Sequence, residues 1–371
     1  MNKISHSAVS KFQTCGHAYK LHYKDKIRPS VTSGALLFGS SLDNALNVLL
    51  RGETGAETMF ERSFRFGKIN EVNTYVPTSE NIVYSNSDMD FDLLNEDDYK
   101  ELTKYVDKAS PEGFTNHLEA YQLIRDRKKK LGWTQLNSID KRYYNLLNWL
   151  SLRRKGLLMI KAYREKVMPR IEKVYSIQEY VTLENSAGDK VTGYVDLVAD
   201  VKDIGMCILD NKTSAMEYEE DSVLTSPQLS LYVHILEEKY KTRRAGYIVL
   251  NKSIIKNRKK ICSKCGNDGS GGRHKTCNAT VEGKRCNGDW NETISPDVFV
   301  QFITDEIPPK TEEIVLQNFD TINESIKQEV FPRNLNSCLN TFGSKCPYYD
   351  LCYLGKMTGL VDMNKKDGNN V

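Results

Sequence analysis

The sequence predicts an α/β protein: a mixed central sheet flanked by helices, with a helical N-terminal region before it and a cysteine-rich insertion after its last strand. Three observations carry this. Apolar runs of strand length, at residues 174–183, 195–200, 206–209 and 245–251, crowd into one stretch of the chain. Helical periodicity dominates the residues before that stretch and returns after it. Between them, residues 256–292 hold four cysteines and six glycines and too few apolar side chains to fold by burial alone.

The elements follow in order. Residues 7–23 read as a helix, with Ser5 or Ser7 as N-cap. Residues 39–50 form a second helix, stopped by Arg51-Gly52. Residues 70–98 are polar and acidic and read as a surface excursion. Residues 119–130 and 141–166 read as helices, the second stopped at Val167-Met168-Pro169, where proline restricts the backbone. Arg125, Arg127, Lys128, Lys129 and Lys130, and Arg153, Arg154 and Lys155 near Trp149, suit phosphate contact and base stacking. They equally suit a solvated helix face. The strands then run from residue 171 to about 250. Residues 200–205 make a hairpin-sized turn with Gly205 at positive φ. Pro227 opens a helix, where its missing N–H is harmless. Residues 298–329 read as helical. The expected organisation is a helical region at 1–170, a core at 171–255, an insertion at 256–292, a helix and cysteine-bearing tail at 293–360, and a disordered tail at 361–371.

The chemistry concentrates between Gly193 and Tyr232. Asp196 stands inside an apolar run. Asp210-Asn211-Lys212 ends the next run, and the first and third of these face the same side of a strand. Gln228 and Tyr232 follow at i, i+4 on a helix. Two carboxylates can hold a hard divalent cation such as Mg²⁺ or Mn²⁺. Such an ion lowers the pKa of its bound water and clamps a phosphate. A neighbouring ammonium stabilises developing negative charge. The pattern therefore suits metal-assisted phosphodiester hydrolysis.

Gly-x-x-Asp, Asp-x-Lys and Gln-x-x-x-Tyr, in this order, resemble the PD-(D/E)xK nuclease superfamily, specifically the RecB-type branch of recombination exonucleases and CRISPR-adaptation nucleases. The resemblance implies a restriction-endonuclease-like fold. It also implies Asp196 and Asp210 as metal ligands, Lys212 as base or water positioner, and Gln228 and Tyr232 as DNA-contacting or supporting residues. The family's early helix carries Gly-x-x-x-His with a ligating histidine. Here Gly39 is followed by Asp43 at the histidine's place, a carboxylate that still suits Mg²⁺. Glu179 is a further candidate acid. The helical block before the sheet is expected to arch over the site.

The cysteines fall into two sets. Cys262, Cys265, Cys277 and Cys286, spaced C-x2-C-x11-C-x8-C, predict a zinc-ribbon-like insertion whose metal supplies the missing folding energy. Its Lys and Arg neighbours suit a DNA-gripping tab or a merely solvated loop. Cys15 with Cys338, Cys346 and Cys352 resembles the iron–sulfur staple of RecB-type nucleases, implying a [4Fe–4S] cluster, with zinc as the alternative. The ninth cysteine, Cys207, lies in an apolar run as a small hydrophobe. This clustering points to metals in a reducing compartment rather than to disulfides.

The 371 residues carry a net charge of only +3, so global charge does not announce nucleic acid. The first ten residues lack the apolar core of a signal peptide, and no apolar run is long enough to span a membrane. A cytoplasmic location is expected, the host cytoplasm if the chain is phage-encoded. No GxxxxGK[ST] loop is present, so any unwinding would fall to a separate helicase or recombination protein. The leading expectation is a metal-dependent exonuclease acting on DNA ends. An endonuclease of the same fold and a catalytically altered DNA-binding module are the alternatives.

Overall fold

The computed structural model describes residues 3–30, 32–65, 82–83, 126–127, 130–132, 138–184, 188–270, 274–339 and 345–365. Almost all of the expectations for 70–98 and 119–130 lie outside these residues; Ile82–Val83 forms a short strand paired parallel with Thr32–Ser33.

The chain begins with a short strand, β1 (Lys3–Ser5), and a helix, α1 (His6–Thr14). Ser5 caps α1 by accepting from Ala8 N at 3.2 Å. The single helix expected over 7–23 is broken at Cys15, whose extended backbone turns the chain into Gly16–Tyr19 and a wider turn at Lys20–Lys24. Next come α2 (Gly34–Leu50), α3 (Ala56–Ser63) and α4 (Ser138–Ala162). The strands β2 (Ile171–Glu184), β3 (Lys190–Val201) and β4 (Gly205–Ser214) follow. Gly205 sits at φ +92°, as the turn requires. Helix α5 (Pro227–Tyr240) leads to β5 (Arg244–Cys262), β6 (Trp290–Glu306) and α6 (Pro309–Lys327).

One six-stranded sheet organises the molecule. β2 runs antiparallel along one edge of β3. The other edge of β3 is divided: β1 pairs parallel with it at Lys190–Thr192, and β4 antiparallel at Leu197–Val201. Residues 193–196 pair with neither, so a gap opens in the sheet there. β4 and β5 are parallel, joined across the sheet by α5, and β6 closes the order antiparallel to β5.

Helices α2, α3 and α4 cover one face. Phe38, Leu42, Phe60, Leu147 and Leu150 pack there on Leu197, Leu209, Ile248 and Leu250. Helix α5 covers the other face through Leu229, Tyr232, Val233 and Leu236 against Val195, Val198, Ile208 and Val249. Helices α1 and α6 meet beside it around Phe12, Tyr19, Phe319 and Ile322.

Several expectations are corrected. Residues 298–306 are strand, not helix, because Val298, Val300 and Phe302 pack into the main core when paired with β5. The boundary at 256 cuts through β5, which continues unbroken to Cys262. The mainly helical region at 1–170 also supplies a strand, β1, to the core sheet. The tail expected to be disordered begins with a strand, Leu360–Asp362, paired antiparallel with Ile27–Pro29, and continues into a turn at Met363–Lys365. The block expected to arch over the site contains, in α4, a core helix: Leu146, Leu150, Met159 and Ile160 are buried. Trp149 donates to Phe64 O at 3.1 Å, and Arg153 pairs with Glu61 at 2.7 Å, so both are engaged within the protein.

Candidate active site

The site forms at the gap between β1 and β4. Asp196 projects from the stretch of β3 that pairs with neither β1 nor β4. Its Oδ2 accepts from Asn211 N at 2.8 Å, tying it to the end of β4. Asp210 and Lys212, two apart on β4, both turn toward α5, and Lys212 Nζ lies 2.6 Å from Asp210 Oδ2. Helix α5 is fixed at its start by Ser226, which caps it through Leu229 N and meets Tyr247 Oη at 2.5 Å. Gln228, on the first turn, donates to Asp210 Oδ1 at 2.9 Å and accepts from Lys212 Nζ at 3.0 Å. One amide thus holds both ends of the ion pair. One turn later the Tyr232 hydroxyl meets Gln228 Nε2 at 3.0 Å and donates to Tyr194 O at 2.8 Å, in the gap of the sheet. Gly193 belongs to this contact. A Cβ there would lie 2.9 Å from the Tyr232 ring, so any side chain would push the tyrosine away.

Asp43 reaches the site from α2. Gln178 Nε2, on β2, donates to both of its oxygens, at 3.2 and 3.1 Å, and to Asp196 Oδ1 at 3.1 Å. Gln178 stands opposite Asp196 between the pairs Ile177↔Leu197 and Glu179↔Val195, with a left-handed backbone at φ +54°. Glu179 points elsewhere. It binds Lys239 and Tyr240 at 2.6 Å each, at the far end of α5, and is not part of the site.

The sequence reading therefore placed Asp43, Asp196, Asp210, Lys212, Gln228 and Tyr232 in positions that the fold brings together. It missed Gln178, Asn211, Tyr163 and His6. Tyr163 is fully buried and donates to Asn211 Oδ1 at 3.2 Å. His6 Nε2 is buried without a hydrogen-bond partner. Asn211 alone had a signal, its place inside Asp-x-Lys. Gln178 is brought in by strand register, Tyr163 by the turn at Tyr163–Val167 after α4, and His6 by α1, which no local pattern records.

Electrostatically the site is three carboxylates against one ammonium. Burial, then the Asp210 charge, pushes Asp43 up to about 6. Burial, then Asp210 and Asp43, pushes Asp196 up to about 8. Burial raises Asp210 too, against the pull of Lys212. Burial alone would lower the Lys212 pKa, but Asp210 and Asp196 outweigh it and keep the ammonium charged. Burial, with Lys212 nearby, pushes His6 down to about 4, so it is neutral at physiological pH. A divalent cation fits this donor set. Its acids are hard oxygen donors, and their surplus of negative charge over the Lys212 ammonium is what a hard cation neutralises.

A stability prediction follows. Unfolded aspartates lose their proton near pH 3.9. Folded Asp43 and Asp196 keep theirs to about 6 and about 8. Between those limits the folded state binds more protons than the unfolded, so metal-free stability should fall as pH rises from about 4 to about 8. Urea midpoints in EDTA at pH 5.5 and 8.0 test this, and a higher midpoint at pH 8.0 would contradict it.

The cysteine insertion lies at the end of the β5–β6 hairpin. Cys262 and Cys286 sulfurs are 3.6 Å apart, as are those of Cys265 and Cys277, and all four lie within 4.8 Å of one another. Sulfurs around one tetrahedral ion at 2.3 Å would be separated by about 3.8 Å, so a single metal fits. Among the described residues this is the one cluster of potential ligands gathered so tightly. Cys15, Cys338, Cys346 and Cys352 line one pocket with His17, Arg333 and Tyr348. Cys346 N donates to Cys338 O at 2.8 Å, so the chain returns to the same place across the seven intervening residues. Burial raises the thiols of Cys346 and Cys352, and the neighbouring sulfurs of the set add to it. Cys207 is buried in the core, its thiol pushed up to about 11.

A family model of the PD-(D/E)XK nuclease superfamily matches residues 3–353. The chain belongs to this superfamily. Membership assigns it to a class of metal-dependent nucleases and accounts for the mixed sheet with its carboxylates at one gap. Comparison with curated proteins finds no match. Among the described residues no helix is long and apolar enough to cross a membrane.

Proposed function

We propose that this chain is a metal-dependent deoxyribonuclease of the RecB type that hydrolyses phosphodiester bonds from DNA ends. The observation that carries the reading is the meeting of Asp196, Asp210, Lys212, Gln228 and Tyr232, from two strands and a helix, at one break in the sheet. A Mg²⁺ or Mn²⁺ ion held by Asp196 and Asp210, with Asp43 as third acid, would supply a bound water of lowered pKa and neutralise phosphate charge.

The protein's own groups do the rest. Lys212 keeps its proton and presents it beside Asp210, where it orients the attacking water or meets the charge that develops on phosphate. Gln228 fixes the geometry of that pair, and Tyr232 fixes Gln228 by anchoring to the Tyr194 carbonyl. The Gln-x-x-x-Tyr arrangement and the cysteine pocket joining the chain ends support the exonuclease branch. We assign Cys15, Cys338, Cys346 and Cys352 to a [4Fe–4S] cluster and Cys262, Cys265, Cys277 and Cys286 to structural zinc. One zinc per chain is expected by elemental analysis, lost with the fold of the tip in Cys265→Ser.

The altered-module reading has one observation in its favour. The Gln178 amide stands between Asp43 and Asp196, and the site's acids do not form a group as tight as the cysteines. Digestion of linear and circular DNA, single- and double-stranded, with Mg²⁺ or Mn²⁺, decides among the readings. Loss of linear DNA only, abolished in Asp210→Ala, is the expected result. Cutting of circles would make the protein an endonuclease, and binding without any cleavage would make it a DNA-binding module.

A further inference from the structure

Strand β5 does two jobs along its length. As far as Asn251 it is part of the catalytic sheet: Val249 is paired with Lys212, and Asn251 with Ser214. Beyond Asn251 it has left β4 and pairs only with β6, up to Cys262↔Trp290. Lys252 and Ile254 still pack on the main core, so the free two-stranded ribbon comprises residues 255–262, roughly 26 Å at about 3.3 Å per residue. Both of its faces meet solvent, since residues 255–259 are all exposed. An isolated two-stranded ribbon is marginal by itself. This one is held at its base by Lys166 and Asn257 on Asp297, along its length by Lys260 and Arg258 on Glu292, and at its end by the four cysteines.

The charge of the arm differs in sign from that of the rest. Residues 256–292 hold nine Lys and Arg against four Asp and Glu, an excess of five positive charges in a chain whose total is +3. The remainder is therefore net negative by two. The arm stays positive even with the two negative charges that a four-thiolate zinc centre brings. Lys256 and Arg258 are exposed and lie on one face of the ribbon. On the tip, Lys264, Lys275, Lys284 and Arg285 are exposed and have no ion-pair partner among the described residues. Trp290 is the only aromatic residue from 252 to 292. Its indole donates to His274 O at 2.9 Å and its ring lies against Gly269, so it is no platform for stacking a base. Cations without stacking platforms suit the phosphates of a duplex better than the bases of a single strand.

We propose that the β5–β6 ribbon and its cysteine tip form an arm that grips the backbone of duplex DNA roughly one helical turn from the scissile bond. From Val249, paired with Lys212, β5 runs thirteen residues to Cys262, roughly 43 Å at about 3.3 Å per residue, a little more than the ~34 Å turn of B-DNA. The inference rests on the nuclease reading only for where the DNA end lies; the arm's affinity for duplex is independent of cleavage.

The test uses the full chain carrying Lys256→Gln, Arg258→Gln, Lys284→Gln and Arg285→Gln, with melting temperature and zinc content matched to the parent. Fluorescein-labelled 10-bp and 30-bp duplexes and a 30-nucleotide single strand are titrated in EDTA at several salt concentrations. The 30-bp affinity should fall about 10-fold or more, and the salt slope by about 4, close to one unit per lost phosphate contact. Binding of the 10-bp duplex, and its cleavage in a parallel assay with Mg²⁺, should not change, and Lys256→Arg with Lys284→Arg should bind as the parent does. Unchanged 30-bp affinity would overturn the proposal and leave the surface to another partner. An equal loss on the 10-bp duplex, or a loss on single strand as large as on duplex, would overturn it as well. A length-dependent loss in a protein that cleaves nothing would keep the arm and remove the nuclease reading.

Discussion

Replacing Lys212 with Ala is expected to abolish DNA cleavage, by at least about 10²–10³-fold, with DNA binding almost unchanged. Its Nζ is the one ammonium set against Asp210, at 2.6 Å, and it is held by Gln228 at 3.0 Å. No other cation is described at hydrogen-bond range of these acids. The truncation leaves Asp210 buried without its partner, and removing one member of a buried pair costs stability. Asp210 can offset this by taking up a proton, since burial already pushes its pKa upward. Activity should therefore be compared at matched folded fraction, with Lys212→Gln as a second variant that keeps a hydrogen-bond donor near Asp210. Retained turnover in both variants would remove Lys212 from the chemistry and with it the assignment of the site.

Replacing Cys346 with Ser is expected to destabilise the whole protein, by roughly 2–5 kcal/mol if the cross-link acts as a native disulfide does over a long loop. The pocket of Cys15, Cys338, Cys346 and Cys352 joins the first helical segment to the last. Around it, His17 N donates to Pro332 O at 3.2 Å and His22 meets the Tyr348 hydroxyl at 2.8 Å. Beside the same seam, Leu360–Asp362 pairs with Ile27–Pro29. Opening the cluster should loosen this seam together, seen as a lower melting temperature and lost iron absorbance. A variant with unchanged melting temperature and unchanged iron content would rule the clip out.

The candidate site was readable in part because its signals are local. Asp-x-Lys fixes two side chains on one face of a strand, and Gln228 and Tyr232 share a helix face, whatever surrounds them. The cysteine spacing of the insertion was equally direct, since ligands of one metal must come from short segments. Glu179 and Gln178 show where this stops. Both lie on the same strand, one residue apart, and only the register against β3 and the left-handed backbone at Gln178 decide which of them faces Asp196. Val298 was read as helical for a similar reason: its apolar neighbours fit either period until β5 claims them as a strand.

By itself, then, the sequence determined the chemical inventory: two acids and a lysine at strand spacing, a supporting Gln and Tyr, and two sets of four thiols. The tertiary structure alone decided that β1 and β4 share one edge of β3 and leave a gap at Asp196, that α2 delivers Asp43 to it, and that the insertion stands at the end of a free ribbon. Those are outcomes of pairing between segments far apart in the chain, where side-chain packing and hydrogen-bond register are settled only when the partners meet.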